Sequence, residues 1–119
     1  MPELPEVETI RRQLAPALFG RRLERLQVLD PRWCWPTPVG EVQDAVRGRR
    51  IDGLERRGKY LVLELSGQVF LVMHLRMTGS LLLVEEADDL PGRAHLRARF
   101  ALDSDTRVLF CDVRRFGTG

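Results

Sequence analysis

The sequence is nearly without lysine: 18 of its 19 basic residues are Arg, and the exception is Lys59. It is also poor in cysteine. Cys34 and Cys111 lie far apart and form no CxxC pair, so neither a cysteine-based zinc site nor a disulfide framework is suggested. Buried free thiols are expected for both. No run approaches the roughly 20 apolar residues of a membrane span, and the N-terminus lacks the basic segment and apolar core of a secretory signal. A cytosolic location is therefore expected. Internal repeats and low-complexity stretches are absent as well. What remains is 119 residues with 44% apolar content, enough for one folded domain with a modest core.

The net charge is only +2, but the charges are unevenly placed. Acids collect at Glu85, Glu86, Asp88 and Asp89, whereas Arg recurs at 56–57 and 114–115. Such segregation permits a basic face on a nearly neutral protein. Arg suits phosphate and base-edge contacts through its planar fork, although a codon or thermostability bias also produces an Arg excess.

The opening residues Met1-Pro2-Glu3-Leu4-Pro5-Glu6 place a secondary amine one bond from the chain start, beside two carboxylates. Removal of Met1 would make the Pro2 nitrogen a free amine nucleophile able to form a Schiff-base-type iminium. Glu3 and Glu6 are within reach for proton transfer. A second reading stands beside this one: Pro5 suits the first position of a helix, and glutamates favour its N-terminus.

Leu4, Val7, Ile10, Leu14 and Leu18 step by three and four, the period of an amphipathic helix. Pro16 predicts that the regular helix ends or kinks near Ala15, with Gly20 as a stop. Residues 22–29 read as a strand. Residues 30–40, with three prolines around Trp33 and Trp35, read as a loop packed by its aromatics. A short helix or turn fits 41–46. Strands follow at 50–56, 60–65, 69–75, 80–85, 96–102 and 107–111, with Ser66-Gly67 as a hairpin turn and 86–92 as an exposed acidic connection. The predicted fold class is α+β, mostly β, with the N-terminal helix packed on an antiparallel two-sheet β-sandwich. The ending at 114–119, with no element after the last strand, reads as a domain cut from something longer.

Four segments, MPELPEVETIRR at 1–12, RRGKYLVLEL at 56–65, MHLRMTGSL at 73–81 and DVRRFG at 112–117, together resemble the formamidopyrimidine-DNA glycosylases. These are bifunctional 8-oxoguanine repair enzymes. Leu-Pro-Glu at 4–6 favours this branch over the related endonuclease VIII branch. The resemblance implies hydrolysis of the N-glycosidic bond of oxidised purines (8-oxoguanine, formamidopyrimidines). Strand cleavage by β,δ-elimination would follow through a Schiff base on Pro2. Glu3 would serve as acid or base at the sugar, Glu6 would order the site, and Lys59 would contact a backbone phosphate or the lesion. His74 and His95 match positions that bind phosphates flanking the lesion. Met77, Arg114 and Phe116 match the residues that fill the gap left by an extruded nucleotide and hold its orphaned partner. An apolar wedge, an intercalating ring and a hydrogen-bonding Arg suit that task. Read without the resemblance, Lys59 is solvated surface, His74 a half-buried strand residue, His95 an exposed loop residue, and Met77 and Phe116 core.

Two residues depart from the family pattern, which usually has Gly where Arg76 stands and Pro where Val113 stands. A Gly in such a loop commonly serves a positive φ or a close backbone approach, so Arg76 is expected to reshape the Met77 turn or add a phosphate contact. Val113 restores a backbone N–H before Arg114. The resemblance further implies a helix-two-turns-helix and zinc-finger domain that these residues do not supply. No cofactor is expected in this chain, one zinc ion being expected in that C-terminal domain, and the isolated chain is expected to bind DNA weakly and turn over little. The partner implied is damaged double-stranded DNA, with no membrane, and a monomer is expected. The alternative is a non-enzymatic nucleic-acid-binding β-domain of the same fold, inactive because Met1 is retained or the second domain is missing. A structural domain whose Pro2 merely starts a helix is a third reading.

Overall fold

The computed structural model describes residues 4–89 and 95–113. Pro2, Glu3, Arg114 and Phe116 lie outside the described residues. The first helix, α1 (Leu4–Leu18), buries Val7, Leu14 and Leu18 with Ile10 partly covered, the stripe that the three-and-four spacing requires. It runs three residues past the expected end near Ala15. Pro16 removes only one donor in the last turn, and the Phe19 N–H still reaches the Ala15 carbonyl at 3.0 Å. Burial of Leu14 and Leu18 on either side of Pro16 holds that turn down. Gly20, at φ +81°, then reverses the chain and donates its N–H to the Ile51 carbonyl at 2.9 Å.

Strand β1 (Arg22–Val28) leads to a short 3-10 turn over Pro31–Trp33, capped by Asp30, whose carboxylate accepts the Arg32 N–H at 3.0 Å. The helix α2 (Val39–Val46) starts earlier than the 41–46 reading. Pro38 sets its entry, and Val39, Val42 and Val46 all pack on the core. The remaining strands are β2 (Arg49–Arg57), β3 (Tyr60–Leu65), β4 (Val69–His74), β5 (Gly79–Glu85), β6 (Leu96–Leu102) and β7 (Thr106–Asp112). Each lies within one or two residues of its expected position. The hairpin turn after β3 holds Gly67 at φ +81° and Gln68 at φ +61°.

The seven strands of the described residues form one antiparallel sheet in the order β4-β3-β2-β1-β6-β7-β5. The pairing between β1 and β2 is confined to Arg22 with Arg50 and Leu23 with Arg49, so the sheet turns sharply there. The two layers of the sandwich are therefore the two halves of one folded sheet. Leu54, Leu63 and Met73 of one half line the interior with Phe100, Leu102 and Val108 of the other, with Leu14 and Leu18 of α1 alongside. β4 and β5 follow one another in the chain yet are the two outermost strands.

Two expectations need correction. Only Trp33 packs the 30–40 loop, edge-on to Phe110 with ring centroids 5.6 Å apart, whereas Trp35 is 78% exposed. Cys34 and Cys111 are half-buried rather than buried, because Cys34 sits on that surface loop and Cys111 on the outer side of β7. No helix is long and apolar enough to cross a membrane, among the described residues.

Candidate nucleic-acid interface

The chain from β4 into β5 makes its reversal in the residues Leu75 to Thr78. Leu75 is buried, and its carbonyl accepts the Gly79 N–H at 2.8 Å. A Cβ on Gly79 would stand 2.3 Å from that carbonyl oxygen, so no larger residue fits. The Thr78 hydroxyl donates to the buried carboxylate of Asp112 at the end of β7. With both ends pinned, the tip carries Met77 outward, 71% exposed. That exposure excludes core packing for Met77. Arg76 beside it adopts φ +61°, the left-handed region that a glycine occupies without strain.

The same turn sets the state of His74. The Arg76 N–H donates to His74 Nδ1 at 2.8 Å. Burial, then the positive charges of Arg76 and Lys59, hold the imidazole pKa below its usual value. A neutral ring that accepts at Nδ1 carries its proton on Nε2, so His74 presents a donor for an anionic oxygen. Its ring meets that of Tyr60 edge-on, with centroids 4.9 Å apart.

Lys59 is exposed on the turn between β2 and β3, where Gly58 takes φ +61°. This turn is tied to the first helix. The Glu8 carboxylate accepts from Arg11 and Arg12 on its own helix and from Arg56 Nε at 3.0 Å. Arg56 Nη1 in turn donates to the Gly58 carbonyl at 3.3 Å. Glu6 is exposed in the first turn of the same helix. The three guanidinium groups hold the Glu8 carboxyl far below the usual glutamate range, the Arg11 bond being the largest cause.

His95 reaches the group through Asp112. It is exposed, at φ +64°, and its carbonyl accepts the Asp112 N–H at 2.9 Å. Arg97 donates to the Asp112 carbonyl at 3.1 Å and to the Asp30 carboxylate at 3.4 Å, fixing the strand that leads to Arg114 and Phe116. Of the expected site residues within the described chain, Lys59 lies near enough to His74 for its charge to act on the ring, and Met77 follows His74 on the adjoining turn. Glu6 shares α1 with Glu8, which Arg56 ties to the Lys59 turn, and His95 is joined to Thr78 through Asp112. Sequence reasoning missed Glu8, Arg56, Thr78 and Asp112. Glu8 had a visible signal in its spacing to Arg11 and Arg12, and Asp112 in being an acid at the end of an apolar strand. Among the described residues no group of His, Cys, Asp and Glu side chains could hold a metal ion.

The family described as the formamidopyrimidine-DNA glycosylase N-terminal domain matches residues 1–119. The chain belongs to that family. It is 49% identical to a formamidopyrimidine-DNA glycosylase of Heliobacterium modesticaldum, covering 99% of this chain and 43% of that protein. A second relative, from Carboxydothermus hydrogenoformans, is 44% identical over 98% of this chain and 43% of its own length. Among solved structures, the Lactococcus lactis glycosylase bound non-covalently to DNA containing an AP site superposes with a TM-score of 0.86 at 34% identity, covering 97% of this chain and 43% of that one. The same enzyme in complex with DNA containing FAPY-dG gives a TM-score of 0.86 at 34% identity, covering 96% of this chain and 42% of that one. The chain thus spans less than half the length of the glycosylases it matches. The family's N-terminal domain is the mostly β fold described above, helix α1 included.

Proposed function

We propose that the protein carrying this chain is a DNA base-excision repair enzyme, a glycosylase and lyase acting on oxidised purines in double-stranded DNA. With Met1 removed, the Pro2 amine attacks C1′ of the damaged nucleotide. The C1′–N bond to the protein forms as the glycosidic bond to the base breaks. Glu3 moves the proton at the sugar, and Glu6 orders the amine beside it. The resulting iminium acidifies the neighbouring sugar carbons, so that β- and then δ-elimination release the two flanking phosphates. Lys59 and the Nε2 donor of His74 hold backbone phosphate, His95 holds another, and Met77 enters the gap with Arg114 and Phe116. The zinc ion that the family implies is assigned to a C-terminal domain of the whole protein, and the cytosol with its nucleoid is the proposed place of action.

One observation carries this reading: an exposed methionine on a doubly pinned turn stands beside a histidine held as a donor. Packing alone gives no reason for that arrangement, and a wedge next to a phosphate clamp does. The test is borohydride trapping of the whole protein on a duplex containing 8-oxoguanine or an abasic site. The expected result is a covalent adduct mapped to Pro2. Folded, Met1-free protein that gives no adduct would leave the non-enzymatic DNA-binding domain as the better reading.

A further inference from the structure

A cleft of about 490 Å³ opens between the loop after β1 and the outer strand β4, and the roles above touch it only at His74. Its less exposed lining includes Trp33 and Leu71, both packed against the core. Trp35 lines it while remaining 78% exposed. Arg32, Arg76 and His74 complete the set used here. The Asp30 carboxylate holds Arg32 through Nε at 3.1 Å and Nη2 at 3.0 Å, which fixes the plane of that guanidinium. Arg76 is set by its left-handed backbone and by its N–H bond to His74.

An indole left in water contributes little to folding and has a large flat face free for stacking. Aromatic faces beside guanidinium groups recognise a flat π-system joined to an anion, the chemistry of a nucleotide. A free nucleotide and a nucleotide within a strand share that chemistry. His74 decides between them, because it lines the cleft and also faces the phosphate path assigned above, so the cleft continues that path. We propose that the cleft binds an unpaired nucleotide of a DNA strand, with the base against Trp35 and the phosphate on Arg76 and His74. The choice of a strand over a free nucleotide rests on the DNA-repair reading.

The chain contains only two tryptophans, and this makes the test direct. The 119-residue chain is titrated at low salt with a thymidine oligomer and with an abasic oligomer of the same length and charge. Tryptophan emission and the anisotropy of end-labelled oligomer are both followed. The expected result is saturable quenching by the thymidine oligomer and roughly ten-fold weaker binding of the abasic one. Trp35→Leu should remove the quenching and the preference for bases, while Trp33→Phe should keep both. Equal affinity for the two oligomers, no binding of either, or an unchanged preference in Trp35→Leu would overturn the proposal. Thymidine monophosphate that saturates the quenching as readily as the oligomer would overturn the strand assignment. Binding is read here without chemistry at Pro2. A failed borohydride trap alongside a preserved base preference therefore removes the enzymatic reading alone.

Discussion

The carboxylate of Glu8 holds the guanidinium of Arg56 at 3.0 Å across 48 residues of chain. Through Arg56 the first helix is fixed to the Gly58 carbonyl, and so to the turn that presents Lys59. The first helix and the turn that presents Lys59 are thus tied together by these bonds.

Glu8→Gln should lower the urea midpoint of unfolding at pH 7. The folded pKa of Glu8 is depressed, so its contribution is complete above the usual glutamate value of 4.5 and is lost as the pH falls through the lower folded value. The gap between wild type and Glu8→Gln should therefore be constant from pH 6 to 8 and shrink on acidification below about 4.5. Urea titrations at pH 7 and pH 3 measure it, and a gap that widens in acid contradicts the assignment.

Lys59 should be detectable from His74. Lys59→Gln removes one of the charges that depress the imidazole, so the His74 pKa should rise. It should stay below 6.5, because burial is the larger cause. A depressed His pKa means that stability is lost as the pH falls below 6.5 and the unfolded chain takes up the proton first. An NMR titration of the ring protons in both proteins checks this. No movement on removing Lys59 would place its charge elsewhere.

The turn between β4 and β5 separates fold from contact. Gly79→Ala forces a Cβ against the Leu75 carbonyl and should cost about 1–3 kcal/mol of stability. Met77→Ala, at an exposed tip, should change stability by less than about 0.5 kcal/mol. In the whole protein, Met77→Ala should still impair processing of a lesion duplex more than cleavage of a preformed abasic site. Thermal melts and paired activity assays decide, and equal losses on both substrates argue against the wedge.

Arg76 holds a left-handed backbone in the turn between β4 and β5. At φ +61° the glycine variant should be more stable than the alanine variant by about 1 kcal/mol, since only alanine keeps the left-handed strain. Both should lower the salt dependence of DNA binding by about one phosphate contact. Denaturation curves and binding at several salt concentrations test the two statements separately.

The fold was largely legible because local signals agreed with each other. The apolar spacing of Val7, Leu14 and Leu18 and the Ser66-Gly67 turn each mark an element without help from distant residues. The extension of α1 past Pro16 was not legible, because it depends on burial of Leu18 against strands far along the chain. Nor was the fate of the two tryptophans, since nothing local distinguishes Trp33, which meets Phe110, from exposed Trp35. Within the site, residue identities could be read from motifs, but the bonds that orient them could not. Arg56 to Glu8 and Thr78 to Asp112 are long-range pairs that no spacing rule reports. The positive φ of Arg76 lies between these cases: a glycine pattern raised the question and the backbone answers it.

The outermost strands β4 and β5 are consecutive in the chain, and only residues 75–78 join them. The turn that carries Met77 is therefore also the hem where the folded sheet is sewn shut. Any push on Met77 is delivered to both margins of the sheet at once. A nick within those four residues would leave the two halves joined through β1 and β2, but would free the ends of both outer strands, whose outer edges are already open to pairing with other chains.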